Sequence, residues 1–359
     1  MILGKRINDE IKAGFQIKTY LRRNGLSIAD KSTEFNKPLA HKKYMAKVSV
    51  IIPAYNSARY LLEAIQGVLH QTYQDFEIIV VDDGSADTTE EIIEGFIKEY
   101  PSKIRHIYQK NRGPAAARNR AMQAAKGEFI AFLDADDVWY SDKLEKQVYV
   151  LEHHPEAGFV YCDSNFIDAE SNPIQNYFRK TKILNGDILI ELFCNHFIMT
   201  PAVMLRKSCL NQTGLFDENL TVGEDYDFFL RLAYYYKARS IDEILWSRRV
   251  LNESLSRADF ILDARNDLNT LKRFMMLHRE FYKKNRDLVQ DRLAKYHFSL
   301  AYNCLEHGKN IIAFNNLVSS VCYHPTLKAF KNILFCCVPL WLRRKLQRHV
   351  TNPQQVDYA

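Results

Sequence analysis

The chain has 359 residues, a formal net charge of +6, 47% hydrophobic and 26% charged residues, the composition of an ordinary globular protein. That length suffices for one domain with a sizeable core plus an extension. The positive charge gathers before Lys47 and between Lys328 and Arg348, which fits two solvated basic tails or an anionic surface such as a membrane better than a nucleic-acid groove.

Seven cysteines (Cys162, Cys194, Cys209, Cys304, Cys322, Cys336 and Cys337) form no CxxC pair and no Cys/His cluster. This argues for buried thiols in a reducing compartment and against structural zinc. The N-terminus lacks a signal-peptide core, and no stretch reaches the roughly 18–20 apolar residues of a spanning helix. The expected location is the cytoplasm, possibly peripheral at the inner face of the membrane.

In chain order, residues 1–46 read as a basic leader, flexible or helical. Val48–Pro53 is a β-branched run typical of a buried parallel strand, with Pro53 ending it. Asn56-Ser57 is expected to cap a helix from about Ala58 to Gln71. Phe76–Val81 reads as the next strand and ends at Asp82-Asp83-Gly84-Ser85. Asp87–Glu90 caps another helix, and Ile104–Tyr108 is a third strand. Gly113-Pro114 opens an alanine-rich helix to Ala125, which Gly127 stops. Glu128–Leu133 is a fourth strand, ending at Asp134-Ala135-Asp136-Asp137. Strands follow near Phe159–Cys162 and Ala202–Leu205, and a helix spans about Tyr226–Tyr236.

This alternation predicts an α/β fold, a mostly parallel, Rossmann-like sheet flanked by helices. Beyond Ser256 the pattern is helical. Ala301, Gly308, Ala313, Ser320 and Pro325 match the small positions of one tetratricopeptide-type helix pair. A lone pair builds no solenoid, so a helical add-on packed on the main domain is expected. The expected division is 1–46, 47–256 and 257–359. Ile333–Leu342 is apolar and flanked by basic residues; it reads either as a membrane-interfacial tail helix or as the last packed helix.

Acids that end buried strands sit where open α/β sheets bind ligands. Several carboxylates facing one crevice repel each other unless a cation joins them, and a divalent metal with a diphosphate meets that need. Each motif also has a plainer reading. Asp82 and Asp83 before Gly-Ser suit a turn. Asp137 suits the cap of a helix beginning near Ser141. Glu224 and Asp225 suit the N-terminus of a helix, and Arg118 suits a solvated helix face.

Val48–Asn56, Val81-Asp82-Asp83-Gly84-Ser85, Gly113–Asn119 with Lys126-Gly127-Glu128, Asp134-Ala135-Asp136 and Gly223–Asp227 occur in that order. Together they resemble the family 2 glycosyltransferases of the GT-A fold, over about Lys47 to Ser256. The resemblance implies an inverting, metal-dependent enzyme. Its donor would be a nucleoside-diphosphate sugar, with a UDP-sugar favoured. Its acceptor would be a glycan or lipid-linked hydroxyl, in surface polysaccharide synthesis. It implies that Asp136 holds Mn²⁺ or Mg²⁺ and that Asp134 touches the ribose or a metal-bound water. Asp82 would accept the base imide N–H, beside Asp83. Pro53, Ala54 and Tyr55 would line the base pocket, and Arg118 would lie near the base or hold Asp82. Asp225 is the candidate general base, with Glu224 on the acceptor side.

The family often carries an Arg-x-His segment after its last core strand. Here Ser247-Arg248-Arg249-Val250 lacks that histidine, so Arg248 or Arg249 is expected to grip the diphosphate. A sugar nucleotidyltransferase would want a Gly-rich, basic phosphate loop after the first strand, which Pro53–Asn56 does not offer. A non-catalytic nucleotide-sugar or glycan-binding protein is the other alternative.

Overall fold

A computed structural model describes residues 46–174, 182–220, 222–251 and 260–336. The leader, Ser254–Ser256 and the tail from Cys337 onward lie outside the described residues. The elements are β1 (Val48–Ala54), α1 (Leu61–Leu69), β2 (Phe76–Asp82), α2 (Thr89–Glu99), β3 (Ile104–Tyr108), α3 (Pro114–Ala124) and β4 (Phe129–Phe132). They continue with β5 (Val138–Trp139), α4 (Lys143–His153), β6 (Ala157–Ile167), α5 (Leu189–Cys194), β7 (Met204–Arg206), α6 (Leu210–Thr213), α7 (Glu224–Tyr235) and β8 (Lys237–Arg249). The last helices are α8 (Phe260–Leu277), α9 (Arg279–Lys284), α10 (Arg286–Glu306), α11 (Asn310–Tyr323) and α12 (Leu327–Cys336).

Among the described residues the strands form one sheet in the order β3-β2-β1-β4-β7-β6-β8-β5. The half from β3 to β4 is parallel, β7 runs antiparallel to both neighbours, β6 and β8 are parallel, and β5 is antiparallel to β8. The chain steps from β1 outward to β2 and β3, then returns to the other side of β1 as β4. That reversal opens a crevice beyond the carboxyl ends of the strands.

Val50, Ile51, Ile52, Ile78, Ile79, Val80, Ile130 and Phe132 are fully buried, as expected of parallel strands covered on both faces. β1 continues through Pro53 to Ala54, one residue beyond expectation. β4 pairs with β1 only as far as Ile51↔Phe132. Pro53 faces that side, so its missing N–H leaves no ladder bond unmade. Gly127 sits where a Cβ would come within 2.6 Å of the Ser49 backbone nitrogen. Glu77 closes the same corner, accepting from Ser49 Oγ and from the Lys126 N–H, both at 2.7 Å.

Two expected caps differ. α1 begins at Leu61 after a turn, with the Tyr60 and Leu61 N–H groups donating to the Ser57 carbonyl. Asn56 instead adopts φ 48° and accepts from the Ala86 N–H at 2.8 Å, tying the loop after β1 to the loop after β2. Asp137 does not cap α4, which starts at Lys143 behind Asp142. Its carboxylate accepts from the Arg249 N–H at 2.9 Å, because burial of that backbone donor demands a partner.

The C-terminal helices join the same core. Phe274 of α8 packs on Phe193 and Tyr234, and Arg273 pairs with Asp217. α10 and α11 form an antiparallel pair turned by Gly308 at φ 70°. Ala301, Ala313 and Ser320 are buried between them, and Ser320 Oγ donates to the Ala294 carbonyl at 2.8 Å. No helix of the described residues is long and apolar enough to cross a membrane.

Candidate active site

The turn expected to bind the donor follows from the end of β2. Asp82 is buried and its Oδ1 accepts from the Ser85 N–H at 2.8 Å. Asp83 is fully engaged: Oδ1 accepts from Gln109 Nε2 and the Arg112 N–H, and Oδ2 accepts from the Gly113 N–H. It therefore moors the loop that leads into α3, and its oxygens are directed at protein donors. Gly84 holds φ 79°, with a Cβ there falling 2.9 Å from the Asn111 nitrogen. Pro53 and Ala54 end β1 beside this turn, and Tyr55 follows, 52% exposed.

Arg118, on the second turn of α3, departs from expectation. It does not hold Asp82, whose carboxylate turns onto Ser85. Its Nη2 donates to Asp134 Oδ1 at 2.7 Å and its Nη1 to Glu224 Oε1 at 2.8 Å. Burial works against its charge, but Asp134 and then Glu224 outweigh that and push its pKa up. One buried cation thus joins the carboxylate after β4 to the carboxylate opening α7. Burial, and next Asp225, push Glu224 up even with Arg118 beside it.

Arg248 and Arg249 act on Asp136 electrostatically. Burial first, and then Asp134, push its pKa up to about 6. Asp137 is raised too, by burial and then by Asp136. The oxygens of Asp134 and Asp136 are hard ligands that suit Mn²⁺ or Mg²⁺, and a cation there would relieve the crowded charge. Among the described residues no group of three or more His, Cys, Asp or Glu could form an all-protein cage. Ions that travel with phosphates need only one or two carboxylates, so the residues fit such an ion.

The two arginines closing β8 have different surroundings. Arg249 is 2% exposed and its guanidinium is spent on protein groups. It donates to the carbonyls of Asp136 and Asp168, to Ser171 Oγ, and to Glu63 Oε2 at 2.6 Å. This is a structural brace. Arg248 is half-buried, contacts Met199 Sδ at 3.5 Å, and lowers the Asp136 pKa electrostatically.

Asp225, the expected general base, sits in the first turn of α7. Its Oδ1 accepts from the Tyr226 N–H at 2.8 Å, and its Oδ2 stands 3.7 Å from His196 Nε2. The His196 ring stacks on Tyr226 with centroids 4.5 Å apart. Behind them, Asp267 of α8 accepts from the Tyr296 hydroxyl at 2.5 Å. Its Oδ1 would lie 3.3 Å from a Cβ at Gly223. Burial raises the Asp267 pKa, with His196 opposing. Sequence reasoning found neither His196 nor Asp267. A lone histidine in a loop and an acid on a distant helix carry no local motif.

With this geometry in hand, the relatives decide the family. A protein called an "uncharacterized glycosyltransferase" from Rickettsia typhi is 34% identical over 249 residues, covering 67% of this chain and 73% of the relative. The chain belongs to glycosyltransferase family 2. The family 2 model, described as "Glycosyl transferase family 2", matches residues 49–212, from β1 into α6. Relatives from Rickettsia felis and Rickettsia conorii are longer, and the chain spans about a third of their length.

Two solved structures share the GT-A fold of family 2. One is the mannosyltransferase PcManGT of Pyrobaculum calidifontis in complex with GDP-Man and Mn²⁺. It is 20% identical at TM-score 0.53, with 85% of each chain covered. The other is residues 1–349 of S. aureus TarS with UDP-GlcNAc. It is 18% identical at TM-score 0.53, covering 80% of this chain and 92% of that one.

Proposed function

We propose that the protein is an inverting, metal-dependent glycosyltransferase. It would transfer a sugar from a nucleoside diphosphate, with a UDP-sugar favoured, to a hydroxyl of a glycan or lipid-linked acceptor in surface polysaccharide synthesis. The observation that carries the reading is the buried Arg118, which links Asp134 on the donor side to Glu224 beside Asp225. In this reading such a bridge would hold the leaving-group end and the acceptor end of a displacement in one frame. The donors named with PcManGT and TarS support the substrate class, and the Mn²⁺ named with PcManGT supports the metal.

In this reading Asp82 accepts the imide N–H of the base from its buried position, and Tyr55 stacks on the ring. Asp136, with Asp134, would hold Mn²⁺ or Mg²⁺, which neutralises charge on the departing diphosphate. Arg248 supplies a second positive charge toward that group, while Arg249 keeps the loop in place. Asp225 takes the proton of the acceptor hydroxyl. The freed oxygen attacks the anomeric carbon as the bond to the diphosphate breaks, which inverts the centre. No general acid is required, because the diphosphate leaves as an anion.

The test is a thermal-shift screen of UDP-, GDP- and dTDP-sugars with and without Mn²⁺, followed by transfer assays with the donor that binds. A ligand of the native state raises its melting temperature by mass action. A shift that requires both nucleotide and Mn²⁺ supports the reading, and no shift with any donor overturns it. Binding without transfer or hydrolysis would instead favour a non-catalytic nucleotide-sugar-binding protein.

A further inference from the structure

We propose that the outer face of α11 and α12 is a docking surface for an anionic lipid bilayer. This is independent of the glycosyltransferase reading and needs no substrate to test. α11 uses one side, Ala313, Leu317 and Ser320, to pack on α10. Asn316 secures that side, its Oδ1 accepting from His297 Nδ1–H at 2.7 Å. The opposite side carries Ile311, Phe314 and Val318, spaced i, i+3, i+7 and therefore on one face. Ile311 is 79% exposed, and Phe314 and Val318 are also exposed.

α12 repeats the arrangement. Ala329 is buried, while Leu327, at 82% exposure, and Phe330 face outward. Soluble surfaces carry single exposed apolar residues freely, but a run of five on two consecutive helices marks a contact surface.

Charge identifies the occupant. From residue 307 to residue 336 the sequence has no aspartate or glutamate, and it carries Lys309, Lys328 and Lys331. All three lysines are exposed. The Lys328 ammonium lies 5.3 Å from the centroid of the Phe298 ring of α10, an exposed cation held at the edge of the apolar face. Two helices with large exposed apolar side chains, cations and no acid of their own suit an interface of acyl chains beneath anionic headgroups; the acids of α10 at their edge are Glu306 and Asp291, the latter paired with His324 at 3.1 Å. A second copy of the same face would set Lys309, Lys328 and Lys331 against their equivalents with no acid of α11 or α12 to offset them, which disfavours self-association.

The experiment is co-sedimentation of the full chain with vesicles of phosphatidylcholine alone and of phosphatidylcholine mixed with phosphatidylglycerol. Wild type is expected to bind the mixed vesicles at low salt, to ignore the neutral ones, and to release as salt rises. One variant combines Ile311→Ser, Phe314→Ser, Leu327→Ser and Phe330→Ser. Another combines Lys309→Glu, Lys328→Glu and Lys331→Glu. The lysine variant should lower the partition coefficient by roughly a hundredfold or more, given the usual contribution of each basic residue near an anionic surface, and the serine variant should lower it by removing the apolar area that would enter the interface. Both sets lie on exposed positions, and circular dichroism with thermal melting checks that the helices remain. Wild type that ignores anionic vesicles at low salt overturns the proposal. So does undiminished binding by both variants, which would transfer the contact to other residues. A wild-type dimer in sedimentation equilibrium that either variant dissolves would assign the face to a second copy and also overturns it.

Discussion

Arg118 Nη1 donates to Glu224 Oε1 at 2.8 Å, and the two residues lie 106 positions apart in the chain. The same guanidinium holds Asp134, so removing it strands two carboxylates at once. Arg118→Met should destabilise the fold by about 3–5 kcal/mol, the usual cost of leaving buried charge unpaired. Adding Glu224→Leu should recover part of that loss. Urea unfolding of the single and double variants gives the coupling directly. A stability loss below about 1 kcal/mol in Arg118→Met would show that the bridge contributes little.

Asp136→Asn tests the metal ligand. The substitution removes a negative charge from a crowded, buried group, so the ligand-free fold should melt no lower than wild type. Mn²⁺-dependent nucleotide binding should largely disappear in calorimetry. Metal-dependent affinity retained in this variant would remove Asp136 from the site.

Asp225→Asn separates binding from turnover. Donor and Mn²⁺ affinity should stay near wild type while kcat falls roughly 10²–10⁴-fold, the usual contribution of a general base. His196→Ala, which empties the space beside Asp225 Oδ2, should lower kcat by a smaller factor with donor affinity unchanged. Lost donor binding with turnover intact at saturation would make Asp225 a donor ligand.

Lys143 makes a pH-dependent prediction far from the chemistry. It is fully buried, its Nζ donates to Gln147 Oε1 at 2.7 Å and lies 4.0 Å from the Trp139 ring centroid. Burial lowers its pKa from 10.5 to about 8. The unfolded chain therefore binds this proton more tightly, and stability rises with pH between about 8 and 10.5. Below that window the cost is fully present; above it the cost is gone. Lys143→Met has no such group. Relative to it, wild type should gain up to roughly 3 kcal/mol across the window, at about 1.4 kcal/mol per unit. Parallel pH dependences for the two proteins would contradict the burial of a charged amine.

The sheet was readable where burial on both faces leaves a continuous apolar run, as in β1, β2 and β4. β8 was not, because Arg239, Asp242 and Glu243 interrupt it, although Leu245 and Trp246 are buried at its far end. The acids of the site could be named from their places after strands. Their division of labour could not. Asp82 and Asp83 are adjacent and look alike, yet only Asp83 is saturated by donors from a loop 26–30 positions away. Asp137 looks like a helix cap because the next helix is near, while the donor that claims it is 112 positions distant. Arg248 and Arg249 alternate across a strand, so one faces Glu63 and Asp168 and the other does not, a distinction set by register.

The position of Asp267 beside Gly223 bears on how this protein can be cut or shuffled. Gly223 precedes the helix that carries Glu224 and Asp225, and the side chain that a Cβ there would meet, at 3.3 Å, belongs to α8. A chain ended before α8 would bare Phe193 and Tyr234 and remove the wall behind Asp225. Exchange of the C-terminal helices between relatives would therefore replace the wall behind Asp225 while Asp225 itself stays with the parent that supplies α7, so a chimera joined at that seam has to rematch the side chain that faces Gly223.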